Sequence, residues 1–223
     1  MVGRFLDNLL GKRTLIDDAR QEAVLMLTTD RRMFDLVLMA VREDVQEHLR
    51  SRIAAMDKEV NHKQRVVRKK VFSHLSISRG QHLQQGLELI TAVIDFERVG
   101  DYTKNIAELV EMVPGALRFG EFEEVYQKVE ALLTEMFDAT MDAFAKQDLT
   151  AARRAMSAYD QLSMLCDSTI ETIIGDLSGK ESLEKRLVVL LLLLRYLKRV
   201  AAHLKNVASI QVNPFHRIGY RSA

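Results

Sequence analysis

Glu97, Asp101, Asn105 and Glu108 form the densest concentration of chemistry in this sequence of 223 residues. They lie in the run Asp95-Phe96-Glu97-Arg98-Val99-Gly100-Asp101-Tyr102-Thr103-Lys104-Asn105-Ile106-Ala107-Glu108. At about 100° per helical residue, the four fall in one line within roughly 80° of arc. Val99, Tyr102, Ile106, Leu109 and Val113 form an apolar stripe displaced by about 100°, so the acids flank a core contact rather than point straight out from it. Like charges one turn apart repel, and Glu97 and Asp101 require a counter-charge or a cation between them. Oxygen-rich ladders suit magnesium, manganese, iron or zinc.

A second acidic line could complete such a site. Asp57-Lys58-Glu59-Val60-Asn61 places Asp57 and Asn61 one turn apart on an earlier helix, and antiparallel packing could bring the four oxygen-bearing side chains together. The same residues are equally consistent with a solvated face neutralised by Arg98, Lys104 or Lys58.

Other chemistry finds less support. Lys63, Arg65, Arg68, Lys69 and Lys70 scatter around a helix, so they form no single phosphate-tracking stripe, and no nucleic-acid motif accompanies them. Glu59-Val60-Asn61-His62 has the Glu-x-x-His form of di-iron bundles, which need a second such unit and two more glutamates. No second unit exists in the sequence. His74 and His203 are expected to cap or pack. There is no Gly-x-Ser-x-Gly and no phosphate-cradling glycine loop, and Cys166 sits mid-helix without an obvious base. The ten methionines are scattered and read as core filler.

The elements that must carry the ladder are long helices. Thr14 to Ser76 is free of breakers and apolar at helical spacing, which predicts two helices with a bend near Glu47 to Ser51. A third is predicted from Arg79 to Met112, ended by Pro114-Gly115, with a loop through Gly120. A second trio follows: Glu121 to Lys146, Leu149 to Gly175 with Asp148 as its N-cap, and Glu181 to Gln211, with Gly175 and Gly179 bracketing the last loop. Leu187 to Leu194 is apolar all round and predicts a helix buried on every side; an exposed surface there would mark an oligomer interface. The run Glu97 to Glu108 recurs as Lys198 to Ser209, displaced by 101 residues, with Arg, Val, Lys, Asn and Ala coinciding. That spacing suggests a duplicated three-helix bundle rather than a solenoid.

The composition agrees. Two prolines and ten glycines leave few tight turns for an all-β chain. A net charge of +1 gives no global attraction to DNA. One cysteine excludes an internal disulfide and fits a reducing cytosol. The run Leu187 to Leu194 stops at Arg195, far short of a membrane span. Asp7 and Asn8 interrupt what would be the apolar stretch of a signal peptide. The expected organisation is a leader over residues 1–13, one bundle over 14–115, a linker over 116–120, a second bundle over 121–213 and a tail over 214–223.

The aspartate, the Glu-Arg-x-Gly-Asp and the Asn-Ile-Ala-Glu within Asp95 to Glu108 together resemble the signature of the PhoU family of phosphate-uptake regulators. Asp57 to Asn61 is similar to the acidic motif on an earlier helix of such bundles, and the resemblance extends over nearly all the chain after residue 14. The ending Asn206-Val207-Ala208-Ser209 with Asn213-Pro214-Phe215 looks closest to PhoU-like domains fused to sodium–phosphate cotransporters, although no transporter segment is present here.

The resemblance implies an all-α protein of two tandem three-helix bundles. It also implies a cytoplasmic, non-enzymatic regulator, an expected homo-oligomer, that binds a phosphate transporter or its sensor kinase. In that family, paired Glu/Asp-x-x-x-Asp motifs hold metal clusters, one per bundle. By position, Glu97 and Asp101 match the motif on the third helix, and Asp57 matches its counterpart. Asn61 replaces a carboxylate and would be a weaker ligand. In the second repeat Lys198 and Ala202 stand where acids are expected, and Met164 follows Asp160 by one turn, so one metal-capable bundle and one that has lost its site are expected. A metal-independent scaffold, or a di-metal enzyme, would be the alternatives.

Overall fold

A computed structural model describes residues 14–43, 48–113, 115–176 and 184–220. Six long helices make up nearly all of it: α1 Leu15–Arg42, α2 Leu49–Ile77, α3 Leu83–Glu111, α4 Glu123–Lys146, α5 Leu149–Asp176 and α6 Lys185–Ser209. Local sequence fixes several of their ends. Thr14 and Asp17 form a reciprocal capping box at the start of α1: Asp17 N donates to Thr14 Oγ1 at 3.2 Å, and Thr14 N donates to Asp17 Oδ2 at 3.0 Å. Asp148 Oδ1 accepts from Thr150 N and Ala151 N at 2.8 and 3.1 Å, which is the expected cap of α5.

The expected third-helix start at Arg79 is four residues early. Arg79, Gly80 and His82 all take positive φ (50°, 85° and 63°), so the chain turns there and α3 begins at Leu83. The fifth helix runs one residue past its expected end at Gly175, to Asp176. Of the expected bend at Glu47 to Ser51, His48 takes a left-handed φ of 61° and the second helix begins at Leu49. Glu47 lies outside the described residues, as do Pro114, Gly179, the expected start of the sixth helix at Glu181 and the leader.

Helices α1, α2 and α3 pack on one another, α4, α5 and α6 do the same, and α3 lies along α6 across the two groups. The two trios share one continuous apolar core. Phe34 of α1 stacks on Phe137 of α4 with ring centroids 4.9 Å apart, and Phe96 of α3 meets Phe144 of α4 edge-on at 5.2 Å. The short link before α4 is part of this core. Leu117 and Phe119 are buried, and Leu117 N donates to Val41 O at 2.9 Å. After α6 the chain folds back, with Asn213 Nδ2 donating to the carbonyls of Arg217 and Tyr220.

The expectation that Leu187 to Leu194 is enclosed on all sides needs correction. Val189, Leu190, Leu193 and Leu194 are buried, whereas Val188 and Leu192 are 39% and 40% exposed. These two stand one turn apart and leave an apolar strip on the outside of α6. Among the described residues, no helix is long and apolar enough to cross a membrane.

Candidate metal centre

The ladder residues occupy the face where α3 meets α2. Asp57 and Asn61 stand one turn apart on α2, and Asn61 Nδ2 donates to Asp57 Oδ2 at 3.1 Å. Across from them, the Lys104 ammonium on α3 lies 3.0 Å from Asp57 Oδ2 and 2.9 Å from Asp101 Oδ1. Lys104 is thus the counter-charge that ties the two acidic lines together, and Lys58 has no part in it. Arg98 is peripheral, 3.4 Å from Asp101 Oδ2 and 3.6 Å from Glu97 Oε2. Glu108, at the far end of the ladder, is 3.7 Å from Arg50 at the start of α2.

The sequence reading missed the residue behind this face. Asp30 of α1 is fully buried, and neither of its carboxylate oxygens has a hydrogen-bond partner among the described residues. Asp57 Oδ1 also lacks one. Both point toward Gly100: a Cβ there would lie 3.2 Å from Asp30 Oδ1 and 3.6 Å from Asp57 Oδ1. The glycine of the Glu-Arg-x-Gly-Asp run therefore makes room for two carboxylates where three helices converge. The available signal was register. Leu27, Asp30, Phe34 and Val37 follow the i, i+3, i+7, i+10 spacing of a buried stripe, so an acid at 30 had to face inward.

Electrostatics follow from this crowding. Burial pushes the Asp30 carboxyl well above the usual carboxylate range, and the neighbouring Asp57 and Glu97 push it further in the same direction. Glu97 is raised by burial and by Asp101, with Arg98 partly opposing. Burial pulls the Lys104 ammonium down, but its hydrogen bonds to Asp101 and Asp57 outweigh that and raise it. The donor set consists of oxygens and suits a hard cation, and the bare oxygens of Asp57 and Asp30 are the groups such an ion would satisfy. Among the described residues no three His, Cys, Asp or Glu side chains are grouped closely enough to hold a metal as they stand.

The other sequence candidates resolve as follows. Lys198 Nζ sits 2.5 and 2.6 Å from the two carboxylate oxygens of Asp167, so the second repeat pairs a lysine where the first has Glu97. Met164 is exposed. His203 Nδ1 lies 2.7 Å from Asp95 Oδ1, which also accepts from Asn206 Nδ2 at 3.1 Å, joining α3 to α6. His74 Nε2 lies 2.9 Å from His82 Nδ1. Glu59 pairs loosely with Lys63 at 3.7 Å, and His62 is exposed. Within the basic run, Lys63 and Lys70 both turn to Glu22 of α1, while Arg65, Arg68 and Lys69 face solvent. Burial raises the Cys166 thiol to about 12, which makes it a poor nucleophile.

The PhoU domain model matches residues 24–110 and 127–210, which is most of the chain and takes in both trios of helices. The chain belongs to the PhoU family. Its fold is similar to that of PhoU from Pseudomonas aeruginosa, with a TM-score of 0.77 and 17% identity over 89% of this chain and 95% of that one. It is also similar to the phosphate transport system regulatory protein PhoU from Streptococcus pneumoniae, at 0.75 and 18% over 88% and 93%. Among curated proteins, a phosphate-specific transport system accessory protein PhoU homolog of Clostridium acetobutylicum is 20% identical, covering 80% of this chain and 81% of that one. An uncharacterized Deinococcus radiodurans protein is 28% identical over 55% of this chain, which spans 44% of that relative's length.

Proposed function

We propose that this PhoU-family chain is a cytoplasmic, non-enzymatic regulator of phosphate transport that docks on a phosphate transporter or its sensor kinase. In this reading a divalent or trivalent cation (iron, zinc, manganese or magnesium) is held in its first repeat. The printed descriptions of the Streptococcus and Clostridium proteins, a regulatory and an accessory protein of phosphate transport, support the regulatory role. For the cation, Glu97, Asp101 and Asp57 are the carboxylate ligands and Asn61 a weaker carbonyl donor. The observation that carries this assignment is the bare inner oxygen of Asp57, which is buried beside a second bare carboxylate at Asp30. Buried oxygens without hydrogen bonds are costly, and a cation removes that cost. The second repeat binds none, because Lys198 and Ala202 replace the acids. Val188 and Leu192 supply an apolar strip for self-association.

One observation favours a second reading, a scaffold that needs no metal: Lys104 already neutralises Asp57 and Asp101. Deleting the gene and measuring phosphate uptake and phosphate-responsive transcription tests the regulatory role. Loss of phosphate control, restored by the wild-type chain, is the expected result. Unchanged control would contradict the reading. Failure of the Glu97→Gln, Asp101→Asn variant to restore control separates the metal-bearing regulator from the metal-independent scaffold.

A further inference from the structure

The Lys104 ammonium bridges the two helices that carry the ligands, 3.0 Å from Asp57 Oδ2 and 2.9 Å from Asp101 Oδ1. It therefore stands where an ion shared by those carboxylates would stand. Its side chain is 31% exposed, and the four-carbon stem is flexible, so the ammonium has water to move into. Behind it, Asp30 is fully buried, and its oxygens and Asp57 Oδ1 are bare around the notch at Gly100. The ammonium thus leaves three buried carboxyl oxygens without a partner among the described residues.

We infer that Lys104 is a built-in competitor for the cation site and sets its affinity and selectivity, with Asp30 as the inner carboxylate that rewards an ion of higher charge. This inference rests on the reading that the first repeat takes a cation. A tethered ammonium competes at an effective concentration of about millimolar or higher. A monovalent ion brings no more charge than the ammonium it replaces, so sodium and potassium compete poorly with it. A divalent ion brings twice the charge, and the surplus is taken up by the oxygens of Asp30 and Asp57 that the ammonium leaves bare. Cation entry then releases Lys104 toward solvent, which changes the charge of the α2–α3 face and couples occupancy to the surface a binding protein would meet. Lys198 in the second repeat is held by Asp167 and has no such exchange.

Titration with Mn²⁺ tests this, with free ion read from its electron paramagnetic resonance signal, on wild type, Lys104→Met, Asp30→Asn and the Glu97→Gln, Asp101→Asn double variant. Lys104→Met should bind Mn²⁺ at least about tenfold more tightly than wild type, since the internal competitor is gone. Asp30→Asn should bind more weakly, and the double variant should not bind. A readout that needs no variant is acylation by an N-hydroxysuccinimide ester, followed by mass spectrometry. Mn²⁺ should raise modification of Lys104 and leave Lys198 unchanged. Equal affinity for wild type and Lys104→Met, with binding lost in the double variant, would overturn the competitor role and leave the cation reading standing. So would Lys104 acylation that ignores Mn²⁺ in a protein that binds it. Absence of Mn²⁺ binding in both wild type and Lys104→Met would overturn the cation reading itself, and this inference with it.

Discussion

Asp30 on α1 faces Gly100 on α3, its Oδ1 3.2 Å from the point where a Cβ would stand. The missing side chain creates a notch, and the notch holds a carboxylate with no hydrogen bond to stabilise it. An unpartnered buried acid costs stability in the metal-free protein. Asp30→Leu, which removes the unpartnered polar atoms at similar side-chain size, should therefore raise the free energy of unfolding in the presence of chelator by about 1–3 kcal/mol. Urea denaturation of both proteins measures it, and a variant that is less stable than wild type would show that Asp30 is satisfied in solution.

Lys104→Met should act in the opposite direction under the same conditions. Its ion pair with Asp101 is partly exposed and contributes little, but Asp57 is largely buried and would be left without its cation. A loss of about 1–2 kcal/mol is expected by urea denaturation. An unchanged midpoint would mean that the ammonium is not held in place.

Much of this arrangement was legible before any coordinates. Asp148 marked a helix start because its side chain caps free amides, whereas the capping box of Thr14 and Asp17 went unread. The Asp95 to Glu108 run marked the ladder because helical spacing aligns its acids. Choosing Lys104 from Arg98 and Lys58 was not possible, since that depends on the rotation of α2 against α3. Arg79 was misplaced because a single glycine was not enough to reveal three residues of left-handed backbone. The strip at Val188 and Leu192 was hidden because leucine-rich sequence cannot specify which side lacks a neighbour. Asp30 was readable from its register, but a lone acid in a breaker-free helix draws attention only once its neighbours are known to be buried.

Glu130 on α4 gives a pH test away from the site. It is buried against Arg42, with 2.5 Å between Arg42 Nη2 and Glu130 Oε1. Burial raises its carboxyl despite that arginine. The folded protein then holds a proton that the unfolded chain has already lost, so stability falls as pH rises from the ordinary glutamate value of about 4.3 through the raised one. Glu130→Gln removes that slope. Urea midpoints at several pH values should show the variant gaining on wild type as pH rises, and parallel curves would contradict the assignment.

Leu190 and Leu192 separate folding from association. Leu190 is fully buried and Leu192 is 40% exposed. Leu190→Asp should unfold the second repeat by burying an unpaired charge. Leu192→Asp should change the unfolding free energy by no more than about 0.5 kcal/mol and abolish self-association in sedimentation velocity. A wild-type protein that stays monomeric at all concentrations would remove the oligomer from the account.

The proposed cation site consists of Glu97, Asp101 and Asp57 in the first repeat, with no counterpart in the second. Elemental analysis combined with thermal melting, with and without Mn²⁺, tests it most directly on wild type, Glu97→Gln with Asp101→Asn, and Lys198→Gln. At about 100 times the dissociation constant, binding adds ~2.7 kcal/mol, which for a chain of this size is a rise of roughly 5–10 °C. Wild type and Lys198→Gln should show the same metal content and the same rise, and the ladder double variant should show neither. If the double variant keeps wild-type metal content and the full melting shift, the ladder is only a solvated acidic face and the site assignment is wrong.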